Sequence, residues 1–370
     1  MTVTSLPPRP SGKDSYRPKN RQIARESGCY LGELFEAEVG LSILNICDLE
    51  LASKTFYGEG IVWLKYERLP GWLDHWDEEI IKAPVKALRF VNTAQRSDLT
   101  IEVEPNEPVK DEDGLMIQWA KFSGRFVANS LDLSSFPFET VQLPIEIELE
   151  DLYESETCLA LNVDSELLAS GGTLTGYKLK EASIDSRVHT YKSNWGWKLA
   201  ESCNGAKNLS EFDNICAVVE YQRSIRSSLL EVFLPLFVIM IVLVCAPLLD
   251  IRQHENRVIL PASVLLVLVF LQEGYKRVLP PGLSYPTIAD LIYSCCFTMT
   301  VFSFGWGLYT ANCFLSHQPI DAAEVQALNS SSQMFVALSI VYLAISFASI
   351  ISLSRLGIRL DKEGASLRAR

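Results

Sequence analysis

LLEVFLPLFVIMIVLVCAPLL, residues 229–249, is apolar almost throughout and close to the twenty or so residues that a helix needs to cross a bilayer. Pro235 lies inside it, where a helix would kink. Two later stretches, residues 288–315 and 334–353, are also long enough to span, and a buried core helix rarely stays apolar for that distance. The remaining apolar run, residues 258–271, is shorter and continues into Gln272, Glu273, Gly274, Tyr275, Lys276 and Arg277. Such a segment cannot face lipid all round over its full length, so it is expected to be enclosed by other helices.

Placed on a helix, that second segment carries Ile259, Ser263, Leu266, Phe270, Glu273 and Arg277 along one stripe, in steps of four and three. Val258, Leu260, Leu265, Leu268 and Val269 occupy the neighbouring faces. Two readings fit this pattern: a stripe that lines water while the rest packs against protein, or a packed helix whose polar end sits at the membrane interface.

Upstream the pattern changes. From residue 36 to residue 226 short alternating or β-branched runs, such as VGLSILNICDL, KTFYGEGIVWLKY, LMIQWAKFSGRFV and VQLPIEIELE, are broken by Gly, Asn, Asp and Pro. Many short strands at such spacing indicate an all-β sandwich or barrel. In the last of these runs Ile145, Glu146, Ile147, Glu148 and Leu149 alternate strictly, which predicts one buried face and one wet face carrying carboxylates. Residues 1–35 are polar, Pro-rich and basic, without the apolar run of a signal peptide, and are expected to form a disordered tail. The division is therefore a tail (1–35), a β-domain (36–226), a four-helix membrane domain (227–354) and a C-terminal tail (355–370).

Mean hydropathy, +0.14, hides this split between halves. The net charge of -12 and the lack of a basic stripe with interleaved aromatics exclude a nucleic-acid partner and suit small cations or uncharged ligands. None of the nine cysteines forms a C-x-x-C pair or a Cys/His cluster at ligand spacing, so no metal site and no cofactor are expected. The acidic loop EPNEPVKDEDG, residues 104–114, is readable as a calcium loop or as a solvated surface. No G-x-S-x-G or H-E-x-x-H motif is present and His75, His189, His254 and His317 are scattered, so the chain is not expected to be an enzyme.

Several segments together resemble the pentameric ligand-gated ion channels, the Cys-loop receptor superfamily, and its bacterial members in particular. SLDLSSFPFETVQLPIEIEL (residues 130–149) looks like the loop between strands six and seven of that family, with Phe136, Pro137, Phe138, Glu139, Gln142 and Leu143 filling its pattern. TFYGEGIVWLKYERL (55–69) is similar to the second-strand region, YQRSIRSSLLEVFLP (221–235) to the arginine and proline of the first membrane helix, and LPPGLSYPTIADLIY (279–293) to the linker into the third. The likeness covers roughly residues 37–353. No cysteines flank Phe136 to Phe138, as in bacterial members, and Glu139 replaces the aspartate of the family's loop. The short stretch from residue 316 to residue 333, read as a loop, leaves no room for a cytoplasmic domain.

The resemblance implies a homopentamer around a central pore in the cell membrane, its β-domain extracellular or periplasmic, conducting monovalent cations. Five copies of the second helix would surround the pore, so that each stripe residue becomes a ring. Glu255 falls where related cation channels carry a carboxylate ring, although an acid there would also favour the helix N-terminus. Leu266 matches the mid-pore leucine and, with Phe270 one turn above, forms a hydrophobic gate, while Ile259 sits at the narrow inner end. Glu273 and Arg277 near the outer mouth are readable as intersubunit bridges, a charged vestibule or a pair within one helix.

Coupling would run through Phe136, Pro137, Phe138, Glu139 and Arg223 to the linker with Pro280, Tyr285 and Pro286. A small molecule, proton or divalent ion is the expected agonist. Tyr177, Tyr191, Trp195 and Trp197 lie before or within the region of the ligand-binding loop and are readable as an aromatic cage or as ordinary core. Cys203 and Cys216 flank that loop. The alternative function is a four-helix membrane receptor or transporter subunit whose β-domain binds a solute without a pore. One conflict stands against the family's orientation: Arg223, Arg226, Lys276, Arg277, Arg355, Arg359 and Lys362 would lie on the β-domain side, against Arg252 and Arg257 opposite, contrary to the positive-inside bias.

Overall fold

The alternating runs of the first half form nine strands among the described residues. These residues, in the computed structural model, are 35–69, 78–111, 114–129, 131–149, 157–161, 167–168, 173–191, 210–316 and 322–368. The strands are β1 (Phe35–Glu50), β2 (Thr55–Tyr66), β3 (Leu88–Phe90), β4 (Thr100–Lys110), β5 (Met116–Val127), β6 (Thr140–Leu149), β7 (Thr157–Leu161), β8 (Tyr177–Tyr191) and β9 (Ser210–Arg223). One sheet runs β4-β5-β2-β1-β7 and the other β3-β6-β9-β8. All pairings are antiparallel except β1 with β7. The result is a sandwich with a mixed first sheet.

Period-two burial explains how the sheets meet. On β6, Val141, Leu143, Ile145 and Ile147 are fully buried, each on the inner face. Aromatic rings bridge the gap: Phe90 on β3 lies 4.8 Å from Phe122 and 5.9 Å from Phe126 on β5. Phe56 of β2 stacks on Phe126 at 5.7 Å. The outer face of β6 departs from the alternation, because Glu148 is only 3 % exposed. Its carboxylate is wrapped by hydrogen bonds rather than by water, as described below.

Four helices follow. The first, α1 (Ile225–Leu248), is long and apolar enough to cross a membrane, as are the segments Ile251–Lys276, Ile288–Ser316 and Ala323–Ile350. Around Pro235 the helix widens into a π turn over Leu229–Phe233, the kind of local adjustment a proline requires because it cannot donate to the preceding turn. α2 is His254–Lys276, α3 is Ile288–Ser316 and α4 is Ala322–Arg368. α4 starts earlier than the apolar pattern implies, so most of the stretch read as a loop up to residue 333 is helix. Its sequence AAEVQALNSSSQ opens with good helix formers and feeds directly into the apolar run. The helix also continues past residue 354 to Arg368, through the segment expected as a tail.

Enclosure of α2 is one-sided. Arg257, Pro261, Val264, Leu268 and Tyr275 are buried on the face toward the other helices, while Leu265 and Val269 remain exposed in the single chain. α2 and α3 approach closely at their far end, where a Cβ on Gly307 would lie 2.7 Å from the Arg257 carbonyl oxygen. Exposed apolar surface also covers α1 and α4, including Phe237 and Met334 at 63 % and 64 %. Such a surface on four membrane-length helices is that of a membrane-embedded domain.

The inter-sheet rings carry the stability of the β-domain. Phe126→Ala is expected to lower the free energy of unfolding by about 3–5 kcal/mol. Val109→Ala, at a half-exposed site on β4, should change it by about 0.5 kcal/mol or less. Urea unfolding of the detergent-solubilised chain, followed by tryptophan fluorescence, measures both.

Candidate functional site

The register of β6 against β9, Thr140 opposite Gln222, sets Glu139 beside Arg223 at the end of the sheet that faces the helices. The Arg223 backbone N–H donates to the Glu139 carbonyl at 3.0 Å, and its Nη1 donates to Glu139 Oε1 at 3.2 Å. The Tyr177 hydroxyl donates to the same oxygen at 2.7 Å. Glu139 is fully buried, and its Oε2 has no hydrogen-bond partner among the described residues. Arg223 also reaches Glu231 of α1 through Nη2 at 2.7 Å, and its guanidinium carbon stands 5.3 Å from the centre of the Phe136 ring. One arginine therefore holds a buried carboxylate, an aromatic ring and the first membrane helix together.

Electrostatics follow from this geometry. Burial alone would lower the Arg223 pKa, but the Glu139 charge and the Tyr177 hydroxyl outweigh it and push it up. Burial, reinforced by the charge and hydrogen bond of Glu139, raises the Tyr177 hydroxyl well above its ordinary value.

The loop before β6 docks onto three helices. Phe136 stacks on Tyr275 of α2 at 6.2 Å, Phe138 stacks on Phe233 of α1 at 5.7 Å, and the Ser228 hydroxyl donates to the Pro137 carbonyl. The backbone N–H groups of Ile288 and Ala289 donate to the carbonyls of Ser134 and Phe136, at 3.0 and 3.1 Å. These are N–H groups that the first turn of α3 leaves without intrahelical partners. In the linker, Tyr285 accepts from the Leu133 N–H at 3.1 Å, Pro280 is buried and Pro286 is exposed. Thr287 and Asp290 form a capping box, with the Asp290 N–H donating to Thr287 Oγ1 at 3.1 Å and the Thr287 N–H to Asp290 Oδ2 at 3.0 Å. Asp290 also takes the Tyr275 hydroxyl at 2.6 Å, tying α2 to α3. Sequence reasoning missed Ser228, Tyr275 and Asp290, although the T-x-x-D spacing before an apolar run signals the last of them.

On α2 every stripe residue is exposed in the single chain: Glu255, Ile259, Ser263, Leu266, Phe270, Glu273 and Arg277. The Ser263 hydroxyl donates to the Ile259 carbonyl at 2.9 Å, which leaves its lone pairs outward. Glu273 and Arg277 pair within the helix at 3.5 Å. Arg277 also borders a cleft of about 380 Å³ at the domain boundary with Glu50, Tyr177, Arg223 and Glu231.

Of the four aromatics read as a cage or as core, two are among the described residues. Tyr177 and Tyr191 stand at opposite ends of β8, roughly 45 Å apart along the strand. Tyr177 belongs to the Glu139 cluster instead. Tyr191 donates to Glu148 Oε2 at 3.0 Å, with His189 Nδ1 2.7 Å from Glu148 Oε1 and Asn214 Nδ2 donating to that oxygen at 3.0 Å. Burial and the Glu148 charge raise the Tyr191 hydroxyl above its ordinary value. Trp195, Trp197 and Cys203 lie outside the described residues, and Cys216 is buried on β9. Among the described residues no three His, Cys, Asp or Glu side chains converge as a metal site.

No family model matches the chain, and no curated protein matches it.

Arg223→Gln would strand the Glu139 carboxylate and is expected to cost about 3–5 kcal/mol of stability, most of it recovered in the double variant with Glu139→Gln. Tyr177 gives a pH test. Its folded pKa is raised, so its contribution is fully present below the ordinary tyrosine value of about 10 and is lost as pH rises toward the folded value. Unfolding midpoints between about pH 8 and 11 should therefore fall less steeply in Tyr177→Phe than in the parent.

Proposed function

We propose that the chain is one subunit of a membrane channel whose pore is lined by α2. More specifically, we read it as a homopentameric ligand-gated ion channel of the Cys-loop receptor type, selective for cations. The observation that carries this reading is the state of α2. Its buried face is fixed on α3, whereas the stripe with Glu255, Ser263, Glu273 and Arg277 faces away from the chain's own helices. Ionisable groups on a membrane helix do not face lipid at low cost. Copies of the chain arranged around that stripe turn it toward water, and they cover Leu265, Val267 and Val269 against neighbouring subunits. The number five rests on the resemblance in sequence.

Each ring then has a chemical task. Glu255 forms no ion pair among the described residues and concentrates cations at the end of α2 far from the β-domain. Leu266 and Phe270, 58 % and 67 % exposed, close the pore by dewetting, with Ile259 as a second constriction below. The Glu273 and Arg277 pair makes the outer mouth nearly neutral, so selectivity falls to Glu255. We place agonist reception at the end of β8, where Tyr191 and Glu148 meet and Trp195 and Trp197 follow in sequence. The signal passes to α2 and α3 through Phe136, Glu139 and Arg223.

For orientation, we place the β-domain outside the cytoplasm. Much of the basic charge counted on that side is engaged in pairs: Arg223 with Glu139 and Glu231, Lys276 with Asp290 at 3.7 Å, and Arg277 with Glu273.

Planar-bilayer currents under asymmetric salt provide the test. The expected result is a cation-selective reversal potential that moves toward zero in Glu255→Gln, with spontaneous opening in Leu266→Ala. Silence of both the parent and Leu266→Ala, with no ring-shaped oligomer in detergent, would favour a solute receptor without a pore.

A further inference from the structure

Arg257 is 2 % exposed near the start of α2, and each acceptor that its guanidinium meets is neutral. Nε donates to the Leu249 carbonyl at 2.8 Å and Nη2 donates to the same oxygen. Nη1 donates to Ser332 Oγ at 3.1 Å, and Nη2 to Asn329 Oδ1 at 3.2 Å. Hydrogen bonds to neutral groups orient a guanidinium but do not cancel its charge, and a buried charge without a counter-charge is costly. Asp250 fills that role only in part: its charge acts on the guanidinium across the same cleft, but it is exposed, accepts from the Arg252 N–H at 3.0 Å, and forms no ion pair with Arg257.

The guanidinium borders a cleft of about 230 Å³ lined by Pro247, Leu248, Asp250, Asn329 and Gln333. Its place in the bundle is informative. α1 leaves the β-domain at Ile225 and ends at Leu248, so the cleft lies at the end far from the β-domain. On α4 it coincides with the change from the polar turn NSSSQ, residues 329–333, to the apolar run that begins at Met334. That change marks the level of lipid headgroups. Leu248 and Met334, at the cleft and just beside it in sequence, are 53 % and 64 % exposed and offer apolar surface to acyl chains.

We infer that this cleft binds the phosphate of an anionic phospholipid from the leaflet opposite the β-domain, and that the phosphate is the counter-charge Arg257 lacks. Four of the five guanidinium N–H groups serve Leu249, Ser332 and Asn329, which leaves one on Nη1 to donate to a phosphate oxygen while the full charge attracts the anion. The Asn329 and Gln333 amides add neutral donors. Asp250 at the rim opposes the anion and limits its affinity. The inference needs the helices to be in a membrane but does not depend on a pore.

Thermal unfolding of the full chain in neutral detergent, followed by tryptophan fluorescence, tests it with three probes: phosphatidylglycerol, phosphatidylcholine and inorganic phosphate. Phosphatidylglycerol should raise the midpoint by about 2–4 °C over phosphatidylcholine, and by more in Asp250→Asn. Gln333→Glu places a carboxylate beside Arg257; it should raise the lipid-free midpoint and abolish the phosphatidylglycerol increment. An equal increment from inorganic phosphate supports the phosphate site and assigns its source to solution. Equal midpoints in the two lipids, or an increment retained in Gln333→Glu, overturn the inference.

Discussion

A carboxylate with no access to water needs a cation, and at Glu139 that need organises the boundary between the two halves of the chain. The cation comes from the last residue of β9, two residues before the helical segment begins. Because the same guanidinium also engages Glu231 on α1, the sheet and the first helix share one electrostatic anchor. The rings of Phe136 and Tyr177 face it, with Tyr275 stacked on Phe136, which lowers the local dielectric and makes the pair more dependent on geometry. Displacement of β9 relative to β6 would separate Arg223 from Glu139 and leave the carboxylate uncompensated. The boundary thus ties the position of the last strand to that of the first helix by direct contact.

The helices divide into a tight pair and two looser partners. α2 and α3 are joined at the near end by Tyr275 with Asp290 and Tyr293, and at the far end by the close approach of Gly307 to the Arg257 carbonyl. A pair fastened at both ends moves as one body. α4 stands apart, with 11 % of its most apolar window buried. Its aromatic contact to α3, Trp306 stacked on Phe335 at 5.0 Å, and its polar contact to Arg257 through Ser332 fasten it within about one helical turn, at the far end.

Periodicity is readable in a sequence wherever one physical demand acts alone. Lipid demands apolar length, so the four membrane segments stand out, and the inner faces of β6 and β9 follow the two-residue repeat. The reading weakens where two demands compete. Glu148 occupies a wet-face position in the pattern, yet His189, Tyr191 and Asn214, brought from other strands, bury it. Arg257 reads as a terminal charge on a membrane helix, but its partners Asn329 and Ser332 come from more than seventy residues away. Tyr177 and Tyr191 are close in sequence and far apart in space because a strand is nearly as extended as a chain can be. Side-chain pairing across elements leaves no local signal, and the candidate site consists mostly of such pairs.

The two arginines at opposite ends of the bundle make the same argument with different outcomes. Arg223 is buried beside a carboxylate from its own chain, so its environment is complete without a ligand, and its role is to hold a fixed geometry. Arg257 is buried beside neutral acceptors at the lipid-facing side of α1 and α4, so its environment is complete only when an anion arrives. A bundle closed at one end by an internal ion pair and open at the other to an external counter-charge is asymmetric in what can perturb it. On the proposed reading, changes in the β-domain act on the first end through strand position, and changes in the membrane act on the second through charge. Because α2 touches both, through Tyr275 at one end and Arg257 at the other, its position answers to both.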